Sequence, residues 1–539
     1  MVNCRQENKR EEVQGMYDLI IKNVRLIDGT GAPWRKAELA VKDGFIAAVG
    51  KVQGEARTVV DGKDHYLTPG FIDIHSHSDD SVLDCPLNES RILQGVTTEI
   101  GGNCGASMAP VPEDPEKRRL LEEYSGPAAY DWRTMGEFLD KVEQARPSVN
   151  FGCLTGHGTL RINVMGFSDA KATEEQCVAI RELGEQTMRD GAFGISSGLI
   201  YPPGSFADTR ELIETAKAVV PYGGIYTTHM RDEGLRLIPS VEEALETARQ
   251  SGASLEISHH KCTRKAEWQV AVKTSVAMIR RARRQGMDVT CDQYPYNASA
   301  TSLTSNFPGW AFEGGQEELL KRIRDPEIKE KMRAESDASH LGRWGDICVS
   351  YTACEEDGWM AGRSLTEIGE RLGMTPFDAL CYLILRADGQ AGEVNYGMCE
   401  EDIEYIMSQP FVMTGSDGQA MSLDHGGKPH PRNYGAFVRV LAHYCRDRAL
   451  FPLEEGIRKM TAMPAAKLNL PDRGILRPGM RADLVLLDLE KLKDEPTYAQ
   501  PQQACSGIEK VWVNGVLTAE DGRHTGARAG MVLRKNINC

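Results

Sequence analysis

Two histidines, His75 and His77, stand two residues apart at the end of the apolar run 70–74. Because side chains alternate along a strand, both imidazoles would point to the same side and could share a metal ion. Most histidine pairs of this spacing are hydrogen-bonded or exposed instead. The metal-binding interpretation is therefore favoured only if the strand that carries the pair lies where an active site is built.

Two more histidines and one aspartate occupy matching places later in the chain. His229 and His259 each follow a short apolar run, and Asp417 follows another. An aspartate before glycine is usually a turn residue, but at a strand end it could act as a general base on metal-activated water. Lys261, two residues beyond His259, would face the same side as His259, and His260 would face the opposite side.

The elements that must position these residues alternate between short apolar runs and amphipathic helical stretches. This alternation favours parallel strands joined by helices, and eight such strands close a TIM-like (β/α)8 barrel. Active sites of such barrels lie at the C-terminal strand ends, where the four histidines and Asp417 fall. The eight predicted strands are 70–74, 96–100, 150–155, 192–196, 225–228, 254–258, 288–291 and 411–414.

Both ends of the chain show the short alternating pattern of β strands, with a hairpin-turn signal at Asn514-Gly515. We therefore predict that the two ends form one small β-sandwich domain. The gap between the seventh and eighth strands is too long for a plain crossover and predicts a partly helical insertion. The predicted units are the β domain, 16–64 and 473–535, the catalytic barrel, 65–472, and the insertion within it, about 307–408.

Composition excludes several other classes of protein. The chain has 539 residues and a formal charge of -15, spread along its length, with no basic block that could neutralise a phosphate backbone. We expect no nucleic-acid partner and, because no long apolar run is present, no membrane partner. The first fifteen residues lack the apolar core of a secretory signal, which predicts a cytoplasmic protein. A homo-oligomer is compatible with the sequence.

The order of these motifs resembles the amidohydrolase superfamily, whose members open with a His-x-His strand, take one histidine each from strands five and six, and use an aspartate after strand eight. Many members also carry a carboxylated lysine in strand four, but the segment 191–201 has no lysine, which disfavours the usual binuclear hydantoinases and dihydroorotases. The segment EIGGNCGAS, 99–107, instead resembles the D-aminoacylases, the N-acyl-D-amino-acid deacylases. Further matches lie at 156–161, 194–199, 228–231, 294–296 and 430–432.

This resemblance implies a Zn²⁺ cofactor. Cys104, His229 and His259 would hold one tight ion, and His75 and His77 would complete a second, weaker position that shares Cys104. Thiolate and imidazole are good zinc ligands, and three protein ligands with room for water are typical of catalytic zinc. Asp417 would then take a proton from the attacking water and deliver it to the departing amine.

The resemblance also implies a small-molecule substrate, an N-acyl-D-amino acid that yields a carboxylate and a free D-amino acid. Lys261, one or both of Tyr294 and Tyr296, and Arg432 would bind its α-carboxylate, unless these cations are merely solvated or salt-bridged. Relatives that take acidic D-amino acids carry an extra arginine soon after the tyrosine motif. Because 298–308 contains no arginine or lysine, we expect a preference for neutral or hydrophobic side chains.

Two alternatives share these residues or this fold. An amidohydrolase acting on another amide, such as a D-dipeptide, a cyclic amide or a carbamate, would use the same metal ligands. A non-catalytic scaffold with a barrel fold would need none of them, and fold alone does not establish activity. The complete set of six candidate metal and acid–base residues argues against the scaffold.

Overall fold

The computed structural model describes residues 16–126, 128 and 130–535, which form a barrel, a β domain and an insertion. The first fifteen residues, on which the prediction of no secretory signal depends, lie outside the described residues. Among the described helices, none combines the length and the apolar character that crossing a bilayer requires.

A nine-stranded sheet draws its strands from both ends of the chain. Strand Tyr66–Pro69 pairs parallel with Tyr17–Leu26 and antiparallel with Leu484–Leu487, so it joins the two chain ends directly. This strand lies just beyond the predicted domain boundary at 64/65. The strands are Tyr17–Leu26, Arg35–Lys42, Phe45–Gly50, Ala56–Asp61, Tyr66–Pro69, Leu484–Leu487, Ile508–Val513, Val516–Glu520 and Arg523–His524.

Alternation along these strands buries one face of the sheet. Leu19, Ile21, Leu39, Val41 and Trp512 belong to one buried apolar cluster, which is separate from the cores of the barrel and the insertion. The opposite face is covered in part as well, since Ile20 and Ala40, which lie between these residues along their strands, are also buried. The β domain therefore has a hydrophobic core of its own.

Eight parallel strands form the barrel, and none differs from its predicted bounds by more than two residues at either end. The third strand is interrupted at Leu154, and a parallel bridge between Ser76 and Gly418 brings the loops after the first and eighth strands together. In chain order the barrel strands are Phe71–Asp73, Val96–Gly101, Asn150–Cys153 with Thr155–Gly156, Gly194–Gly198, Ile225–His229, Ser254–Ile257, Val289–Gln293 and Val412–Thr414.

Helices connect the barrel strands, and several begin with side-chain caps. Thr134 and Thr173 each form a capping box with the residue three positions on, which satisfies the free N–H groups of the first turn. The helices of the barrel are Glu89–Ile92, Pro115–Ser125, Met135–Ala145, His157–Met165, Glu174–Arg189, Thr209–Lys217, Leu237–Ser251, Ala271–Arg284, Glu400–Met407, Arg432–Arg439, Leu453–Lys459 and Ala462–Leu468. A π-helical segment, Val440–Asp447, continues Arg432–Arg439.

The insertion between the seventh and eighth barrel strands contains a three-stranded antiparallel sheet as well as helices. Its first strand begins at Ser299, before the predicted start at 307, and its core includes Leu319, Trp344, Phe377 and Leu380. The strands are Ser299–Ser302, Ile347–Thr352 and Ala391–Asn395, and the helices are Gln316–Arg324, Pro326–His340, Leu365–Leu372 and Pro376–Arg386.

A buried acid in this insertion makes its stability depend on pH. Burial raises the pKa of Glu393 to about 7 from the ordinary 4.5, against the opposing hydrogen bonds from Asn306 and Asn395. The protonated form thus stabilises the fold fully below pH 4.5, and this contribution is lost as the pH rises through 7. Between pH 5 and pH 8 we expect the free energy of unfolding of the wild type to fall relative to that of Glu393→Gln by up to about 3 kcal/mol. The Tm advantage of the wild type over this variant is therefore expected to shrink or reverse.

Differential scanning fluorimetry at both pH values measures this difference. Glu370→Gln, an exposed position of the same insertion, is the control for the change of charge. A Tm difference between wild type and Glu393→Gln that is the same at pH 5 and pH 8 would contradict the prediction.

Candidate metal centre and active site

Four ligand-bearing side chains meet at the C-terminal rim of the barrel. Atoms of His75, Cys104, His259 and Asp417 all lie within 4.8 Å of one another, and all four residues are buried. The Cys104 Sγ atom lies 3.4 Å from His75 Nε2 and 3.3 Å from His259 Nε2. His77 Nε2 lies 3.0 Å from Asp417 Oδ1, which is also 3.3 Å from His75 Nε2. The sequence prediction placed all these residues at this rim.

The backbone is held in a left-handed conformation at three of these residues. Cys104, His259 and Asp417 have φ angles of 53°, 33° and 54°. Non-glycine residues reach this region at a cost of order 1–3 kcal/mol each, and such residues concentrate at functional sites. The Cys104 loop also packs very closely, because a Cβ atom on Gly198 would lie 1.9 Å from the carbonyl oxygen of Cys104. The fold therefore keeps these side chains converged despite local strain.

His229 lies beside this cluster and brings a carboxylate with it. Its ring centre is 4.4 Å from that of His259, and neither of its ring nitrogens has a hydrogen-bond partner among the described residues. Glu233 Oε2 lies 3.6 Å from His229 Nε2, and Glu233 Oε1 lies 3.0 Å from His259 Nδ1. Lys261 Nζ donates to Glu233 Oε1 at 2.7 Å. A second group of ligand atoms thus adjoins the first.

Asp292, the fourth residue of the seventh barrel strand, contacts the ring of one histidine of the cluster and the backbone of another. Its Oδ2 atom lies 3.0 Å from His75 Nδ1, and its Oδ1 accepts the backbone N–H of His259 at 2.8 Å. A carboxylate on one ring nitrogen leaves the other nitrogen free for a metal ion and fixes the ring. Neither Asp292 nor Glu233 was predicted from the sequence, although an acidic residue inside an otherwise buried strand was a usable signal for Asp292.

Charges within the cluster shift several pKa values strongly, those of Cys104 and Asp417 among them. Burial alone would raise the pKa of the Cys104 thiol, but the imidazoles of His75 and His259 hold it well below the usual range. Burial would likewise raise the pKa of Asp417, but Arg432 and His259 hold that pKa well below the usual range. The site therefore favours a thiolate and a carboxylate, which are both metal-binding forms.

The four residues predicted to bind substrate occupy different surroundings. Lys261 and Arg432 line a cavity of about 1750 Å³ that lies over the cluster, together with Tyr201 of the loop after strand four. Arg432 Nη1 donates to Asp417 Oδ2 at 2.6 Å, so both cations are salt-bridged. Tyr294 is buried, with the guanidinium carbon of Arg432 5.0 Å from its ring centre.

Tyr296 is also buried, with the guanidinium carbon of Arg439 5.2 Å from its ring centre, and its hydroxyl donates to the carbonyl oxygen of Pro431 at 3.5 Å. The rings of Tyr294 and Tyr296 both pack against His430. His260, expected on the opposite side from His259, is buried and contacts Ser275 Oγ through Nε2 at 2.8 Å.

A profile of the amidohydrolase family matches residues 58–519 of this chain. The chain belongs to the amidohydrolase family. Its relatives within the family include the D-aminoacylase of Alcaligenes xylosoxydans xylosoxydans, 35% identical over 96% of this chain and 98% of that protein. The N-acyl-D-aspartate deacylase of the same organism is 34% identical over 97% of this chain and 96% of that protein. This amidohydrolase is thus a member of the D-aminoacylase and N-acyl-D-amino-acid deacylase group.

A solved structure gives the same fold. The N-acyl-D-glutamate deacylase of Bordetella bronchiseptica, complexed with zinc and a phosphonate inhibitor that mimics the tetrahedral intermediate, superposes with a TM-score of 0.80. It is 33% identical, and the match covers 96% of this chain and all of that one. The barrel with a small β domain that the sequence predicted is thereby confirmed.

The residues of this amidohydrolase fit a zinc ion. A buried thiol of lowered pKa, several imidazoles and a carboxylate converge, and the ring nitrogens of His229 are buried without partners in the described part of the chain. Sulfur, nitrogen and oxygen donors of this kind are those that zinc prefers. Cys104 and His259 belong to the core of the donor set, with His75 and His229 on either side.

The Glu233–Lys261 pair gives a prediction for stability. Both side chains are buried, so Glu233→Gln leaves an unpaired ammonium inside the protein, which costs about 3–5 kcal/mol. We expect this variant to lower the Tm of metal-free protein by several degrees. The double variant Glu233→Gln/Lys261→Met removes both charges and is expected to recover much of the loss. A double variant as unstable as Glu233→Gln alone would show that the ion pair is not the cause.

Proposed function

We propose that this amidohydrolase uses zinc to hydrolyse the amide bond of N-acyl-D-amino acids, with release of a carboxylate and a free D-amino acid. The observation that carries the proposal is the buried convergence of Cys104, His75, His259 and Asp417, all of which except His75 line one cavity. Similarity over nearly the whole chain to proteins named D-aminoacylase and N-acyl-D-aspartate deacylase supports the choice of substrate class. Cys104, His229 and His259 would hold the tight ion, and His75 and His77 a weaker second position.

The chain's own residues carry the proton transfers. Zn²⁺, when bound, supplies Lewis acidity that polarises a carbonyl and makes water acidic near pH 7. Asp417 reaches the cavity and is held ionised by Arg432, so it can accept the proton of the attacking water. The same carboxyl group then passes that proton to the departing nitrogen, as a general acid. Arg432 fixes the direction of the carboxylate throughout.

The cavity walls guide the rest of the substrate. Lys261 and Arg432 are the sequence-predicted cations at its floor, and Tyr294 packs beneath Arg432. No arginine or lysine lies between residues 298 and 308, so the proposal includes a preference for neutral or hydrophobic amino-acid side chains. A clear rate advantage for N-acetyl-D-glutamate or N-acetyl-D-aspartate would contradict that preference.

Release of free amino acid from paired N-acetyl-D and N-acetyl-L methionine, leucine, phenylalanine and glutamate tests the proposal. Zinc-loaded protein is expected to hydrolyse the D series selectively, and dialysis against a chelator is expected to remove the activity. If zinc binds but neither series turns over, the substrate class is wrong. D-dipeptides, cyclic amides and carbamates are then assayed next, and failure of all of them would favour the non-catalytic scaffold.

A further inference from the structure

Six lysine and arginine side chains line the cavity over the metal-ligand cluster, and five of them are already paired with carboxylates. Arg231 pairs with Glu243 at 2.9 Å, and Arg343 pairs with Asp346 at 2.7 Å. Arg119 is paired with Glu123, and Lys261 and Arg432 are paired as described above. The six are Arg119, Arg231, Lys261, Arg264, Arg343 and Arg432. All of these except Arg264 have their charge neutralised by a carboxylate of the chain.

Arg264 differs from the other five. It is half-buried, and its guanidinium makes no ion pair and donates no hydrogen bond to any described residue. Its Nε atom is fully buried and has no hydrogen-bond partner in the same part of the chain. A buried N–H group without a partner is costly, so an acceptor is expected to complete the site. The cavity is the open space that this side chain faces.

The acids on the neighbouring loop are engaged elsewhere. Asp232 Oδ1 accepts the backbone N–H groups of Gly234 and Arg236. Glu233 is shared between Lys261 and the two histidines of the cluster. The loop around Arg264 is also held in place, because Thr263 N donates to Glu233 O at 2.8 Å and Arg343 Nη1 donates to Thr263 O at 3.2 Å. Arg264 is therefore a positioned cation without a counter-ion in the chain.

We propose that Arg264 binds a carboxylate of the substrate, an inference that rests on the proposed function. A guanidinium presents paired N–H donors that match the two oxygens of a carboxylate. Such a group can be the α-carboxylate of the N-acyl amino acid, or a second carboxylate on its side chain, in which case the preference for neutral side chains proposed above is wrong. The chemistry at Arg264 is the same in both cases, and Lys261 and Arg432 keep their partners within the chain.

Kinetics of Arg264→Gln with three substrates separate these two sources. N-acetyl-D-leucine carries only the α-carboxylate, N-acetyl-D-leucinamide carries none, and N-acetyl-D-glutamate carries two. If Arg264 binds the α-carboxylate, the variant raises KM about tenfold or more for the leucine and glutamate substrates and leaves the amide unchanged. If it binds the second carboxylate, only the glutamate substrate is affected. In either case we expect kcat to change much less than KM.

Two further variants make the test specific. Arg264→Lys keeps the charge but not the paired donors, so it is expected to restore part of the lost affinity. Lys265→Gln removes the same charge from the adjacent exposed position, which does not line the cavity, and is expected to leave KM unchanged. Tm values of all variants establish that each is folded.

Isothermal titration calorimetry with N-acetyl-D-leucine and N-acetyl-D-glutamate judges the role of Arg264 separately from catalysis. If wild-type protein binds these compounds but does not cleave them, the proposed function is wrong. The effect of Arg264→Gln on their binding then still tests the role of Arg264. Binding and KM values that are the same in Arg264→Gln and Lys265→Gln for both carboxylates would overturn the proposal, as would wild-type protein that binds neither compound.

Discussion

Cys104→Ala is expected to remove both the bound metal and nearly all hydrolysis of N-acetyl-D-methionine. The thiol sits 3.3–3.4 Å from two imidazole nitrogens, and its lowered pKa supplies a thiolate to the centre of the donor set. Changing a residue behind a metal ligand already costs about 10–100-fold in metal affinity or activity. Loss of the central ligand is therefore expected to exceed that range, because alanine offers no donor atom.

Metal per chain by mass spectrometry and kcat/KM with the D substrate measure this effect. Cys177→Ala is the matched control, because that thiol is buried in helix Glu174–Arg189 outside the cluster. The control is expected to keep its metal and its activity. Cys104→Ala protein that retains one metal ion per chain and wild-type turnover would show that the metal centre lies elsewhere.

The barrel and the rim histidines were predictable because they depend on local patterns. Short apolar runs fix the strands, and a polar residue immediately after such a run lies at the C-terminal rim whatever the rest of the chain does. His229 and His259 illustrate this, since each stands within two residues of the end of its strand. Alternation alone then placed His75 and His77 on one side.

Contacts between distant segments were not predictable in the same way. Strands Ile347–Thr352 and Ala391–Asn395 of the insertion are short and pair across a long stretch of helix, so neither is recognisable before its partner is known. Glu233 stands four residues after His229 in a loop, and only the fold brings it to Lys261. The positive φ angle of Cys104 likewise has no signal in its residue type, because the non-glycine residues enriched in the left-handed region are asparagine, aspartate and histidine.

The salt bridges at the cavity floor change how the basic residues are interpreted. From the sequence, Arg432 and Lys261 were equally compatible with binding a substrate carboxylate and with forming internal ion pairs. In the structure Arg432 holds Asp417, and Lys261 holds Glu233. Arg432 and Lys261 therefore act first on the orientation and charge of two acidic groups beside the metal ligands, Asp417 and Glu233. This leaves Arg264 as the cavity cation without a carboxylate partner among the described residues.

Asp417→Asn is expected to lower kcat by about 10²–10⁴-fold, the range that a positioned general acid–base group contributes. An amide cannot accept the proton of the attacking water, but its oxygen can still accept the hydrogen bond from Arg432. Asparagine also tolerates the left-handed backbone of this position, where φ is 54°. We therefore expect the variant to fold and to retain metal, so that the loss falls on the chemical step.

Asp388→Asn provides a matched comparison for this variant. Asp388 also lines the cavity and has a positive φ of 48°, so the same substitution is made in the same backbone conformation at a site remote from the ligands in sequence. Its kcat is expected to equal that of the wild type. If Asp417→Asn loses its metal along with its activity, Asp417 acts mainly as a ligand. If it keeps both, the proton is carried by another group, and Glu233, which contacts His229 and His259, is the carboxylate to substitute next.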